Sequence, residues 1–244
     1  MIGHRLRQRG HGQLARWLIG LTVLLLAIGT AGLVYLQGRP TNARLMRVRQ
    51  YRRDPAAHED WALDGGDRCG QAPFVMPTTG FVGFVWGDSF RPGHHHQGLD
   101  IFGPNGLGKA PVVAAYDGYL TRLDQWRSAV ILRHPQDPLQ PGRQIWTYYT
   151  HMADEQGNSF IAEPYPPGTH EQFVRAGTLL GYQGNYSGEP DNPTGIHLHF
   201  SIVTDDGQGS FRNELKIENT LDPTPYLGFE SNADRLGQAI PLCR

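Results

Sequence analysis

The chain has 244 residues, 39% hydrophobic and 18% charged, with a net charge of −1. That length holds one sizeable domain plus appendages, and that composition excludes a wholly disordered chain. The small net charge hides an asymmetry: residues 1–60 carry ten Arg against Asp54, Glu59 and Asp60, a balance of +7, while residues 61–244 carry 12 Lys+Arg against 20 Asp+Glu, a balance of −8. A basic arm thus precedes an acidic domain, which argues against nucleic acid as a partner.

Residues 1–16 form a basic tail with Arg5, Arg7, Arg9 and Arg16, read as cytoplasmic. Residues 17–36 follow without a charge, and about twenty such residues cross a hydrocarbon core as a helix. Trp17 and Tyr35 sit near its ends, where aromatic rings favour the interface. A cleaved signal peptide is the rival reading; its apolar region is usually shorter, and only a weak small-residue cleavage site lies around Ala27–Ala31. We therefore expect an uncleaved single-pass anchor.

Residues 37–68 read as an Arg-rich linker, helical across Asn42–Tyr51. Its arginines lie against anionic lipid or wall polymers, or are merely solvated. Arg39, Arg44, Arg47, Arg49, Arg52 and Arg53 outnumber the four before the anchor, so the positive-inside count leans against an outside C-terminus. The cysteines point the other way. Cys69 and Cys243 bracket the remaining chain, and outside the cytoplasm such a pair is expected to bridge.

From Phe74 the pattern turns to short runs rich in β-branched and aromatic residues, separated by Gly and Pro: Phe81–Trp86, Val112–Ala115, Tyr119–Leu123, Ala129–Arg133, Ile145–His151 and Ile196–Val203. No long amphipathic helix interrupts them, so the expected fold is all-β and largely antiparallel. Pro135–Arg143 and Asp154–Glu171 read as long loops, of the kind that often frame a groove.

Three pieces carry chemistry. The first is His94-His95-His96-Gln97-Gly98-Leu99-Asp100, an H-x-G-x-D pattern from His96. His94 and His95 suit a solvated loop; Gly98 permits unusual backbone angles or a close approach of another chain. A carboxylate with imidazoles is a usual zinc set. The second is Thr147–Met152, a strand with His151 at its end. The third is Gly195-Ile196-His197-Leu198-His199-Phe200, where period two puts His197 and His199 on one face of a strand. Either histidine of that pair can bind a metal while the other works beside it.

In this order, H-x-G-x-D, Y-x-H and H-x-H within G-x-H-L-H-F resemble the lysostaphin-type (LytM-type) zinc metallopeptidases. The flanks agree: Ala110–Leu120 is similar to the family's hairpin after the first motif, Val174–Asn185 to its segment before the last, and Leu221–Leu227 to its closing segment. The resemblance covers roughly Phe74 to Leu227. It implies that His96, Asp100 and His199 bind Zn2+ and that His151 and His197 act beside the metal as catalytic residues. It implies hydrolysis of stem or cross-link peptides of peptidoglycan, a substrate outside the membrane. It implies an antiparallel β-sheet of sandwich- or barrel-like form, with a groove over the sheet. We expect the peptidase domain to span residues 69–227, with a C-terminal tail over 228–244.

Tyr186–Thr194 is longer than the family's usual turn, and Asp154–Glu171 is also long; both are expected to flank the groove. His95 is an alternative ligand register that lacks the glycine offset. Two other classes stay open: a non-catalytic zinc-binding wall scaffold or regulator, and a sugar-phosphotransfer protein with a paired-histidine barrel. A regulatory protein partner is a reasonable expectation for a wall hydrolase, and the oligomeric state is left open.

Overall fold

The computed structural model describes residues 8–37, 40–88, 93–229, 240–241 and 243. Residues 1–7 of the basic tail and most of the C-terminal tail therefore lie outside the described residues. The first helix, α1 (Gln8–Gln37), contains the expected apolar span: Ala15–Gly32 has a mean hydropathy of 1.6 and none of it is buried. By length and composition it suits a single-pass anchor or a signal sequence.

The second helix, α2 (Pro40–Arg53), contains the helix expected over 42–51, but it does not behave as a linker. Arg44, Val48 and Tyr51, spaced four and three apart, share one helix face, and all three are buried. Val48 and Tyr51 cluster with Phe81, Phe84 and Phe102, and the rings of Tyr51 and Phe81 lie 5.6 Å apart. Arg44 forms an ion pair with Asp88, with the two side chains only 4% and 1% exposed. Gly83 makes room for this docking: a Cβ there would fall 2.3 Å from Cγ2 of Val48. The expected boundary at residue 69 thus cuts through packed contacts.

The strands are β1 (Phe81–Phe84), β2 (Leu99–Phe102), β3 (Pro111–Val113), β4 (Gly118–Thr121), β5 (Val130–His134), β6 (Ile145–Thr150), β7 (Gln172–Val174), β8 (Leu179–Tyr182), β9 (Leu198–Thr204) and β10 (Thr220–Leu221). Eight make one sheet: seven run in the order β1-β2-β9-β6-β5-β4-β7, and β10 pairs β9 off that path, at Ile202 and Val203 on the edge away from β6. The pairings are antiparallel, as expected. β3 and β8 form a separate two-stranded ribbon.

Alternation along the strands sorts their side chains. Leu99 and Ile101 of β2, with Leu198, Phe200 and Ile202 of β9, enter the main core, where Val112 of β3 and Leu180 of β8 also pack. The intervening Asp100 and His199 therefore point to the other face. Burial of such side chains contributes roughly 1.5–3 kcal/mol each. Cys69 and Cys243 are bridged across a sequence separation of 174 residues, as expected of the pair.

The two long loops differ from expectation in placement. Asp154–Glu171 does not line the groove: Ile161 bridges Gly181 of β8, and the carbonyl of Tyr165 accepts a hydrogen bond from the buried Arg122. Apolar Ile161 and Tyr165 pull it into the main core instead. The 135–143 loop is tied by Asp137, which holds both Arg143 and the hydroxyl of Tyr226.

Candidate metal centre

β9 is flanked by β2 and β6, and that adjacency assembles the site. Asp100 on β2 stands directly opposite His199 on β9, so both side chains project from one face. Thr150, the last residue of β6, pairs with His199 from the other side, which delivers His151 beside it. Gly98 permits the first strand to come close: a Cβ there would lie 2.2 Å from the carbonyl oxygen of Phe200. The close approach read from the sequence is thus present. His96 is held just before β2 by its backbone, whose N–H donates to Asp88 at 2.7 Å and whose carbonyl accepts from Gly87 at 2.8 Å.

His96, Asp100 and His199 offer ligand atoms that lie within 4.8 Å of one another, and all three residues are buried. Their outer partners fix which atoms face inward. Nδ1–H of His96 donates to the Val85 carbonyl at 3.0 Å, leaving Nε2 toward the centre. Nε2–H of His199 donates to Glu214 at 2.9 Å, leaving Nδ1 inward. The two inward nitrogens are 3.1 Å apart, and Oδ1 of Asp100 lies 3.0 and 2.9 Å from them. Two lone pairs and a carboxylate converging this closely need a cation between them.

The electrostatics agree. Burial alone would raise the Asp100 carboxyl, but the imidazoles of His96, His197 and His199 hold it well below the usual carboxylate range. Burial alone would lower His199; hydrogen bonds to Asp100 and Glu214 outweigh it and raise His199 to about 10. Burial would likewise raise Glu214, and its bond to His199 lowers it instead. The centre therefore attracts positive charge, either a proton on His199 or a metal ion. The donor set of two imidazole nitrogens and one carboxylate oxygen fits zinc.

His151 and His197 stand beside this group, with ring centroids 4.5 Å apart. Each donates Nδ1–H to a backbone carbonyl at 2.6 Å, His151 to Tyr186 and His197 to Gly195. Both Nε2 atoms are thereby left to accept a proton, and that of His197 lies 3.5 Å from Asp100. Burial, then the neighbouring His197 and His199, push His151 down to about 3, so it is neutral at pH 7. His151 also adopts φ 70°, the left-handed region that non-glycine residues rarely occupy. Such strain clusters at functional positions. Gly184 accommodates the bend: a Cβ there would fall 2.3 Å from the carbonyl oxygen of His151. His197 precedes β9 rather than lying within it, and the Phe102 ring stacks on it at 5.1 Å.

All five residues singled out from the sequence line one groove of about 760 Å³. His95 is exposed and does not join them; His94 reaches the groove wall. Tyr186–Thr194 contributes Tyr186, Ser187, Gly188 and Thr194 to the walls, as expected for that longer turn. Arg52 of α2 and Glu214 also line the groove, and neither was singled out. Glu214 sits in an irregular loop 15 residues after His199, and no local pattern marks it. Arg52 was assigned to the linker, so only the docking of α2 brings it here.

No protein-family model and no curated protein sequence matches the chain. Among solved structures it is similar to lysostaphin, an antimicrobial peptidase from Staphylococcus simulans, at 20% identity and a TM-score of 0.39, over 64% of this chain and 59% of that one. It is also similar to Csd3 of Helicobacter pylori, at 18% identity and a TM-score of 0.39, over 63% and 34% of the two chains. The catalytic domain of the prophage-encoded M23 protein EnpA from Enterococcus faecalis shows 21% identity and a TM-score of 0.34, over 61% and 95%. The chain thus spans 59% of lysostaphin and about a third of Csd3.

Proposed function

We propose that this chain is a zinc-dependent endopeptidase of the lysostaphin type, hydrolysing peptide bonds in stem or cross-link peptides of peptidoglycan during wall remodelling. The observation that carries this reading is the convergence of three buried ligand atoms beside two imidazoles whose Nε2 atoms face the same groove. His96, Asp100 and His199 would hold the ion, through the inward-facing Nε2 of His96, Oδ1 of Asp100 and Nδ1 of His199. Zinc bound there by three protein ligands would supply Lewis acidity, lowering the pKa of a water to roughly 7 and polarising a carbonyl.

The remaining work belongs to the protein's side chains. Nε2 of His151 or His197 accepts the proton of the attacking water, and the other returns a proton to the departing amine. Their Nδ1–H bonds to backbone carbonyls fix the tautomer each task needs. Glu214 holds the His199 ring and makes it a better donor, the usual duty of a carboxylate behind a metal-bound imidazole.

Membrane attachment through α1, with the C-terminal domain outside the cytoplasm, fits both the substrate and the Cys69–Cys243 bridge. In this reading the catalytic unit runs from α2 through Leu227, rather than starting at residue 69.

The test uses the full chain in detergent, beside a His199→Ala variant. Zinc content is measured, and products from purified peptidoglycan are identified by mass. About one zinc per chain, new amino termini, and loss of both in the variant are expected. Zinc binding without any new amino terminus would overturn the peptidase and favour a scaffold.

A further inference from the structure

We propose that Arg52 forms a carboxylate-binding subsite, so that the groove selects peptides bearing a free carboxylate close to the scissile bond. This inference rests on the endopeptidase reading above.

Arg52 reaches the groove because α2 is docked by its opposite features: the buried Arg44–Asp88 pair and the packing of Val48 and Tyr51. Its guanidinium lies over Gly195, with Nη1 2.9 Å from where a Cβ on that residue would stand. Gly195 does not have positive φ, so its backbone could accept another residue. What the missing side chain provides is space for the guanidinium. The Gly195 carbonyl in turn holds Nδ1 of His197 at 2.6 Å. A positive charge is thereby set one residue contact away from a proton-carrying imidazole.

Among the described residues, Arg52 makes no ion pair and no hydrogen bond with the protein, and its side chain is exposed to the groove. By contrast Arg44, Arg133 and Arg143 are all committed to carboxylates. Arg52 keeps a planar fork of donors for a ligand, and that fork matches a carboxylate in bidentate geometry. The nearby Asp100 and Glu214 are occupied by histidines and do not compete for it. Wall peptides carry free carboxylates on side chains and at chain ends, which gives the subsite its ligand class.

The experiment uses the full chain in detergent and pairs of synthetic peptides that differ only in one carboxylate, free or amidated. Cleavage and equilibrium binding are both measured. The free acid is expected to be preferred by about tenfold in kcat/KM, through KM, the range of one charge-assisted hydrogen bond. Arg52→Gln brings that preference toward one. Gly195→Ala does the same while leaving Arg52 in place, because the new methyl displaces the flexible guanidinium. Arg53→Gln removes the same charge from the same helix at a residue that does not line the groove, and keeps the preference. Equal affinity of the wild type for acid and amide, or an equal loss in Arg53→Gln, overturns the subsite. Acid-selective binding without cleavage of either peptide would uphold the subsite and overturn the peptidase reading on which its role rests.

Discussion

Replacing Arg44 with Met tests whether α2 belongs to the folded unit. The two side chains of the Arg44–Asp88 pair are 4% and 1% exposed, so water screens neither. In the variant, the Asp88 carboxylate would remain buried with the Val85 N–H, 2.9 Å from Oδ2, as its neighbouring donor. Leaving one charge of a buried pair uncompensated costs about 3–5 kcal/mol. Against a typical total of about 5–15 kcal/mol that is a large share. For a unit of this size it corresponds to a fall in Tm of roughly 10 °C. Urea unfolding of a chain starting at Pro40, followed by tryptophan fluorescence, measures the loss. The double variant Arg44→Met, Asp88→Asn removes the charge but keeps an acceptor for Val85, and recovers at least half of it. Zinc affinity falls in the single variant too, because the Asp88 carbonyl holds the His96 backbone. A loss below about 1 kcal/mol, the size of an exposed pair, would refute the reasoning and return α2 to the status of a linker.

Other substitutions report on separate parts of the structure. Glu214→Gln weakens zinc binding by about 10- to 100-fold, measured by competition with a chelator, while unfolding of the metal-free chain changes little. His134, buried between the Asp117 carbonyl and the Thr147 hydroxyl, is pushed down to about 4 by burial. It is neutral in the fold and protonates more readily when unfolded, so its contribution is full above pH 6.5 and is lost as pH falls toward 4. That amounts to about 3 kcal/mol, and His134→Gln should flatten this part of the stability–pH curve relative to wild type. Reduction of Cys69–Cys243 frees a loop closed across 174 residues and should cost about 2–5 kcal/mol in urea unfolding. Gly98→Ala drives a methyl against the Phe200 carbonyl, where rigid backbone cannot yield, so it should lower zinc affinity and Tm together.

Strand periodicity made one face of the candidate site legible, and the motif order supplied the choice of His96, Asp100 and His199 within it. His199 and its neighbours alternate with core residues, so the sequence alone separates Leu198 and Phe200 from the histidine between them. Asp100 was legible from its motif, although the strand carrying it was not anticipated. With four residues, β2 is too short for a pattern, and tertiary pairing with β9 makes it a strand. β7 and β10, of three and two residues, escape for the same reason.

What the sequence hid depends on contacts between distant segments. α2 carries so many arginines that its buried stripe of Arg44, Val48 and Tyr51 is masked by charge; only pairing with Asp88 makes burial of Arg44 tolerable. Arg52 followed it into the wrong category. Glu214 acquires its role by a loop that returns to His199, which no spacing rule encodes. The Asp154–Glu171 loop misled in the opposite direction, since length and prolines suggested a groove wall while Ile161 and Tyr165 anchor it to the core.

Zinc K-edge absorption spectroscopy on the purified full chain tests the central claim most directly. The expected first shell is two imidazole nitrogens and one carboxylate oxygen, with a further light atom from solvent, and one nitrogen is lost in His199→Ala but not in His197→Ala. A shell that loses a nitrogen in His197→Ala, or one containing sulfur, would contradict it.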